Sequence, residues 1–380
     1  MLGCFYGKKQ YKKPTDIELF NELLELIQYN LVKTSSFRIK KSLTISMPNL
    51  TPIPNFFAPG RVDKIYRVLY QQRAIAAADW AQQHQIEPAA NDKKRIGLLL
   101  IDVQNTFCLP DFELFVGGES GTGAIEDNIK LCRFIYHHLG SITEIIPTMD
   151  SHTAMQIFHP IFWINAAGQH PEPATTISMA EVQQGVWQVN PDLAHLQGNS
   201  LLAEHALHYV QKLNEDGKYP LTIWPYHSML GGIGHALVSA IEEAIFFHSI
   251  ARKSPTNFQL KGDNPLTENY SVLSPEVLED AKGQTIAGKN TKLIQKLINF
   301  DALIVAGQAK SHCVAWTVEN LLTEIRQIDR NLAHKVYLLE DCMSPVVIPG
   351  VVDFTHQADR AFQRFAEAGM NLVKSTDDIW

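Results

Sequence analysis

Five short apolar runs in this chain each end on, or lead into, a residue able to do chemistry. Ile96-Gly97-Leu98-Leu99-Leu100-Ile101 runs into Asp102, and residues 144–148 lead to Asp150-Ser151-His152. Residues 258–261 close on Lys261-Gly262, residues 302–307 enter the turn that carries Cys313, and residues 336–339 lead into Glu340-Asp341. Asp102, Lys261 and Cys313 are the parts of a nucleophilic hydrolysis: a base, a cation that holds an anionic pair together, and a thiol nucleophile. Cys313 opens a helical pattern over residues 314–325, and a thiol at a helix N-terminus is expected to have its pKa lowered toward the reactive thiolate. Taken singly, each has a plainer role. A cysteine is usually a small buried apolar residue, Asp102 could cap a strand end, and Lys261 could be a solvated charge.

The elements that must gather these residues can be read from the pattern between them. A continuous apolar run such as residues 96–101 predicts a strand buried on both faces of a parallel sheet. Ile125, Ile129, Cys132, Ile135 and Leu139 step at helical spacing, as do Leu237, Ile241, Ala244 and His248. Strand alternating with helix predicts right-handed crossovers and an α/β fold with a doubly wound, mostly parallel sheet in three layers. In such sheets ligands bind beyond the carboxyl ends of the strands, which is where the residues that follow the five runs fall. Residues 151–226 break the alternation with prolines, glycines and aromatics, and predict an insertion over the site, at about residues 153–222. The first 95 residues differ again. Residues 17–31 have near-helical spacing with Thr15 or Asp16 as cap, residues 46–60 hold four prolines, and residues 62–84 read as helix. A helical N-terminal extension over residues 1–95 and a main domain over residues 96–380 are expected.

Composition excludes several classes. The chain has 380 residues, a formal net charge of −7 and 45% hydrophobic residues. An acidic balance argues against nucleic acid as a partner, and no uncharged apolar run reaches the roughly 18 residues needed to span a bilayer. Five scattered cysteines with no C-x-x-C spacing suggest neither a disulfide framework nor a thiolate zinc site. A reducing, cytoplasmic setting is expected, with no leader segment and with association into a homo-oligomer left open.

The ordered motifs resemble the nicotinamidases, within the isochorismatase-like cysteine hydrolases. The matching stretches are Leu100-Ile101-Asp102-Val103-Gln104-Asn105-Thr106-Phe107, Asp150-Ser151-His152, Trp224-Pro225-Tyr226-His227, Lys261-Gly262 with Asn269-Tyr270-Ser271, Val305-Ala306-Gly307-Gln308-Ala309-Lys310-Ser311-His312-Cys313-Val314, and Leu339-Glu340-Asp341. They span about residues 96–375. The resemblance implies an isochorismatase-like fold, with Asp102 as general base, Lys261 as its electrostatic partner and Cys313 as nucleophile. It implies an oxyanion hole from the backbone amides of Ala309 and Cys313 after a cis Gln308–Ala309 bond, and pocket walls from Phe107 and Trp224. It also implies one divalent metal on Asp150, His152 and His227, with His159 a candidate further ligand. Two imidazoles and a carboxylate suit Zn first, with Mn or Fe as alternatives. The implied substrate is a small amide, nicotinamide foremost. Another small amide or ureido compound is the alternative, and a silent metal-binding scaffold is a second. Ser228 departs from the family's cysteine after the metal histidine, and Lys310 and His312 are expected to add basic groups near the thiol.

Overall fold

In the computed structural model, residues 50–193 and 199–379 are described, so the helix expected over residues 17–31 lies outside them. Strand β1 (Ile96–Ile101) is buried at every position. Leu98 and Leu100 face one core and Leu99 and Ile101 the other, because alternate side chains of a strand leave opposite faces and here both faces are covered. It is joined by β2 (Glu144–Asp150), β3 (Gln259–Lys261), β4 (Ala302–Gly307), β5 (Val336–Leu339) and β6 (Asn371–Val373). The order across the sheet is β6-β5-β4-β1-β2-β3, and all neighbours pair in parallel. The chain therefore winds outward from β1 through β3, then returns to lay β4 against β1. That reversal opens a crevice beyond the carboxyl ends of β1 and β4.

Helices α1 (Tyr70–Gln83), α2 (Gly123–His137), α3 (Asn199–Glu215), α4 (Ser239–Arg252), α5 (Thr291–Ile298), α6 (Ala315–Ile328) and α7 (Thr355–Glu367) cover the sheet. Buried side chains of α1, α2 and α4 share one core, and those of α3, α5, α6 and α7 share the other. The fold class is thus the doubly wound α/β sheet that the alternation predicts. Residues 50–95 pack onto this body. The Thr51 hydroxyl donates to the Tyr136 carbonyl at 2.8 Å, and the rings of Phe56 and Phe57 lie 5.9 and 5.6 Å from that of Tyr136. Helix is expected from residue 62 but begins only at Tyr70. Tyr66 instead donates its N–H to Ser239 Oγ at 3.0 Å and its hydroxyl to Glu243 at 2.8 Å, tertiary bonds that override local propensity.

Residues 153–222 hold two small antiparallel pairs, Trp163–Ile164 with Gln188–Val189 and Thr176–Ile177 with Leu221–Thr222. A short helix, Met179–Gln183, starts from a capping box in which Ser178 and Glu181 bond each other's backbone N–H. Ile157, Phe158, Phe162 and Trp163 bury into the core of the α6 face. Among the described residues, no helix is long and apolar enough to cross a membrane.

Candidate active site

β1 and β4 end side by side, with Ile101 paired to Gly307. Gly307 has φ 120°, and a Cβ there would lie 2.0 Å from the Ile101 carbonyl oxygen. Only glycine lets the two ends close so tightly. The chain leaves β1 through Asp102, itself left-handed at φ 47°. The fully buried Asp102 carboxylate accepts from the Thr148 hydroxyl of β2, and Thr148 Oγ1 accepts the Asp102 N–H at 3.1 Å. β3 sets Lys261 beside Asp150 in register. The Lys261 ammonium then lies 3.0 Å from Asp102 Oδ2, 2.8 Å from Asp150 Oδ1, 2.9 Å from the Asn269 carbonyl and 3.6 Å from Cys313 Sγ.

After β4 the Gln308–Ala309 peptide is cis and leads into a wide turn, Lys310–Val314, continuous with α6. Gln308 is pinned on both sides, donating to Asp127 at 2.9 Å and accepting from the Ser344 N–H at 3.3 Å. The structure thus brings Asp102, Lys261 and Cys313 into one buried cluster and places Ala309 four residues before the thiol. Burial, reinforced by Asp102 and Asp150 and opposed by Lys261, pushes the Cys313 thiol well above its usual range. The lowered thiol pKa expected from the helix terminus is therefore corrected, because the thiol is desolvated and faces two carboxylates. Burial also raises the Asp102 carboxyl, against the pull of Lys261. For Lys261, burial works against the charge, but Asp102, Asp150 and Cys313 outweigh it and hold the ammonium well above its usual range.

Beside this cluster lie Asp150, His152 and His227, all buried, with donor atoms within 4.8 Å of one another. His152 Nδ1 lies 2.9 Å from the Gly262 carbonyl, and His227 Nδ1 lies 2.8 Å from that of Pro225. A carbonyl can only accept, so each Nδ1 carries the proton and each Nε2 of a neutral ring presents a lone pair. Both Nε2 atoms face Asp150 Oδ2, at 2.8 Å from His152 and 3.5 Å from His227, where each donates to the carboxylate when its ring is protonated and offers a lone pair to a cation when it is neutral. Three potential ligand atoms gathered on one point could hold a cation, and backbone carbonyls behind the ring are the usual outer support of metal-bound imidazoles. His159 repeats the pattern. Its Nδ1 faces the Ala154 carbonyl at 3.1 Å, its Nε2 is buried without a partner, and its ring centroid is 5.9 Å from His152 and 6.0 Å from His227. The donor set fits a divalent metal ion. Gly262 makes room for the His152 ring, since a Cβ there would sit 2.6 Å from it.

Burial pushes the Asp150 carboxyl up, but His152 and Lys261 together outweigh it and hold it well below the usual carboxylate range. Burial also lowers His227, and it lowers His159 to about 3. Both rings stay neutral, as ligation requires.

Cys313, Asp150, His152 and His227 open onto a cavity of about 420 Å³, which Phe107 and Trp224 also line. Sequence reasoning missed several of its walls. Glu268 is buried there and accepts the Trp224 indole N–H at 2.9 Å. Burial and the nearby Glu276 push its carboxyl well above the usual range, which keeps it neutral. No motif marks Glu268, which stands in an ordinary polar stretch. His312 also lines the cavity, but burial lowers it to about 3, so it adds no positive charge. Lys310 turns away to pair with Asp359 at 3.1 Å, over the Phe362 ring. The expected basic groups near the thiol are therefore absent at both positions.

No family model matches the sequence, and no curated protein registers as a relative. Solved structures do show similarity. An Acinetobacter baumanii nicotinamidase/pyrazinamidase is 18% identical at a TM-score of 0.44, over 76% of this chain and 99% of that one. A yeast nicotinamidase is 18% identical at 0.44, over 73% and 99%. An N-carbamoylsarcosine amidase from Thermoplasma acidophilum is 14% identical at 0.37, over 75% and 99%. At identities and scores this low, the activities of those proteins do not carry over to this chain.

Proposed function

We propose that the chain is a cysteine amidohydrolase acting on a small uncharged carboxamide, with nicotinamide the first substrate to test. The observation that carries this reading is the buried Lys261 ammonium in reach of both Asp102 and Cys313, with Cys313 itself lining a cavity. In the proposed cycle Asp102 takes the thiol proton and the sulfur attacks the carbonyl carbon. The N–H groups of Ala309 and Cys313 hold the developing oxyanion, a contribution of about 2.7–4 kcal/mol for a single donor in comparable sites. The protonated Asp102 then gives its proton to the nitrogen as the C–N bond breaks, releasing ammonia and leaving a thioester. Asp102, again a base, deprotonates a water that attacks the thioester, and the acid departs as the thiol regains its proton.

Asp150, His152 and His227 would hold the metal, with His159 as candidate fourth ligand and Zn favoured over Mn or Fe by the donor set. Bound there, the ion supplies a Lewis-acid position for water or a ring nitrogen. The rings of Phe107 and Trp224 would flank the substrate. A ureido acid is disfavoured, because its carboxylate would meet Glu113 and Asp150, and among the described residues lining the cavity there is no Arg or Lys. Ammonia release from nicotinamide and a panel of small amides, with Cys313→Ala as control, tests the proposal. Equal rates for the native chain and Cys313→Ala would remove it.

A further inference from the structure

The cavity is polar at its inner end and apolar at its outer end. Asp150, His152, His227, Glu268, His312 and Cys313 are all buried. The outer wall comes from two other segments, residues 112–116 after the first strand and residues 346–349 after β5. Phe112, Leu114, Phe115, Val347 and Ile348 there are partly exposed, so these segments form the approach from solvent. Val347 and Ile348 are held in place by an antiparallel pairing with Asp353 and Val352. Glu113 is the one charged side chain that these two segments bring to the lining.

Cavities of about 300–1,000 Å³ take drug-sized ligands. At about 420 Å³, this one exceeds what a single-ring carboxamide needs. A substrate filling only the polar end would leave the apolar approach wet, a poor use of side chains whose contact with an apolar group is favourable. We infer that the natural substrate is an uncharged amide bearing an apolar substituent, whose carboxamide meets Cys313 while the substituent lies between residues 112–116 and residues 346–349. This inference rests on the amidohydrolase reading and adds the substrate class to it.

The test is a homologous series, nicotinamide with ring alkyl groups of increasing length and straight-chain amides from acetamide upward. Turnover is measured with the native chain, and dissociation constants by calorimetry with Cys313→Ala. Each methylene buried between the two segments is expected to raise kcat/KM about fourfold and to tighten binding by the same factor. Ile348→Asp is expected to flatten that dependence, read as the ratio of long to short amides so that loss of folded protein cancels. Turnover of the shortest amides with no gain along the series would overturn the apolar substituent and leave the hydrolase reading intact. Binding that tightens along the series without hydrolysis of any member would overturn the hydrolase reading and leave the apolar approach supported. Neither binding nor hydrolysis sinks both.

Discussion

Replacing Lys261 by methionine removes one cation from among four acceptors. Its ammonium touches Asp150, Asp102, the Asn269 carbonyl and Cys313 at 2.8, 3.0, 2.9 and 3.6 Å, and the side chains of Lys261 and Asp102 are 2% and 0% exposed. Deleting one partner of a buried pair costs about 3–5 kcal/mol, because the other charge is left without compensation. Total stabilities of about 5–15 kcal/mol make that a large fraction. The pH dependence distinguishes this cause from lost packing. A buried carboxyl with its folded pKa raised above the unfolded value of about 3.9 keeps its proton longer in the native state. Native stability then falls as pH rises through the interval, by up to about 1.4 kcal/mol per unit. Burial already raises Asp102, and Lys261 restrains it. Without the lysine the interval lengthens. Asp150, held low partly by the same lysine, loses stabilisation in the same direction.

The deficit of Lys261→Met relative to the native chain is therefore expected to be smallest at about pH 5 and to widen toward about pH 8. Urea titrations at several pH values measure it directly. Amide hydrolysis should fall by at least about 10²–10⁴-fold, the range for losing acid–base function in an active site. A deficit that is flat with pH, together with activity within tenfold of the native chain, would refute the charge-partner role.

Brief alkylation should reach Cys313 before Cys108, Cys132 and Cys342, since of these four buried cysteines it is the one that lines the cavity. Its rate should climb with pH, because burial holds the thiol up. Peptide mass spectrometry reads the order, with Cys4, outside the described residues, as the competing site; activity that survives full modification of Cys313 would exclude it as nucleophile. His227→Ala should lose most of its bound metal, and His159→Ala should weaken affinity about 10–100-fold. Elemental analysis after dialysis checks both, and unchanged metal in His227→Ala counts against the assigned centre. Glu268→Gln keeps the acceptor for Trp224 and removes a carboxyl whose folded pKa is raised by burial. Its stability relative to the native chain should improve as pH rises from about 4 to 8; a parallel pH profile would mean that Glu268 is not held neutral.

The positions of Asp102, Lys261 and Cys313 were legible because buried parallel strands write themselves as unbroken apolar runs, and sites sit where such runs end. Asp150 and Lys261 prove to be the last residues of β2 and β3. β6 was not legible. Its three residues are only half buried and open with Asn371, so no apolar run marks them. The chemistry of the thiol was misread from local pattern alone, since the helix that follows Cys313 is visible in sequence and its desolvation is not. Thr148 and Glu268 escaped for a related reason. Each acts through a partner 46 or 44 residues away in the chain, Asp102 and Trp224 respectively, and no spacing rule reaches that far.

The parallel register explains why one lysine can serve two sites. Asp150 and Lys261 are direct neighbours across β2 and β3, and Asp102 leaves β1 on the other side of β2, held there by Thr148. Each carboxylate divides its oxygens. Asp102 gives Oδ1 to Thr148 and Oδ2 to Lys261, while Asp150 gives Oδ1 to Lys261 and Oδ2 to the two histidines. Two buried carboxylates this close would repel if nothing lay between them, and one would keep its proton. The ammonium removes that conflict: it supports an anionic Asp150, which the metal donor set needs, and works against the rise that burial imposes on the Asp102 carboxyl. A guanidinium could not do the same, because its planar fork suits one carboxylate held face-on, whereas these acceptors approach a single point from four separate chain segments.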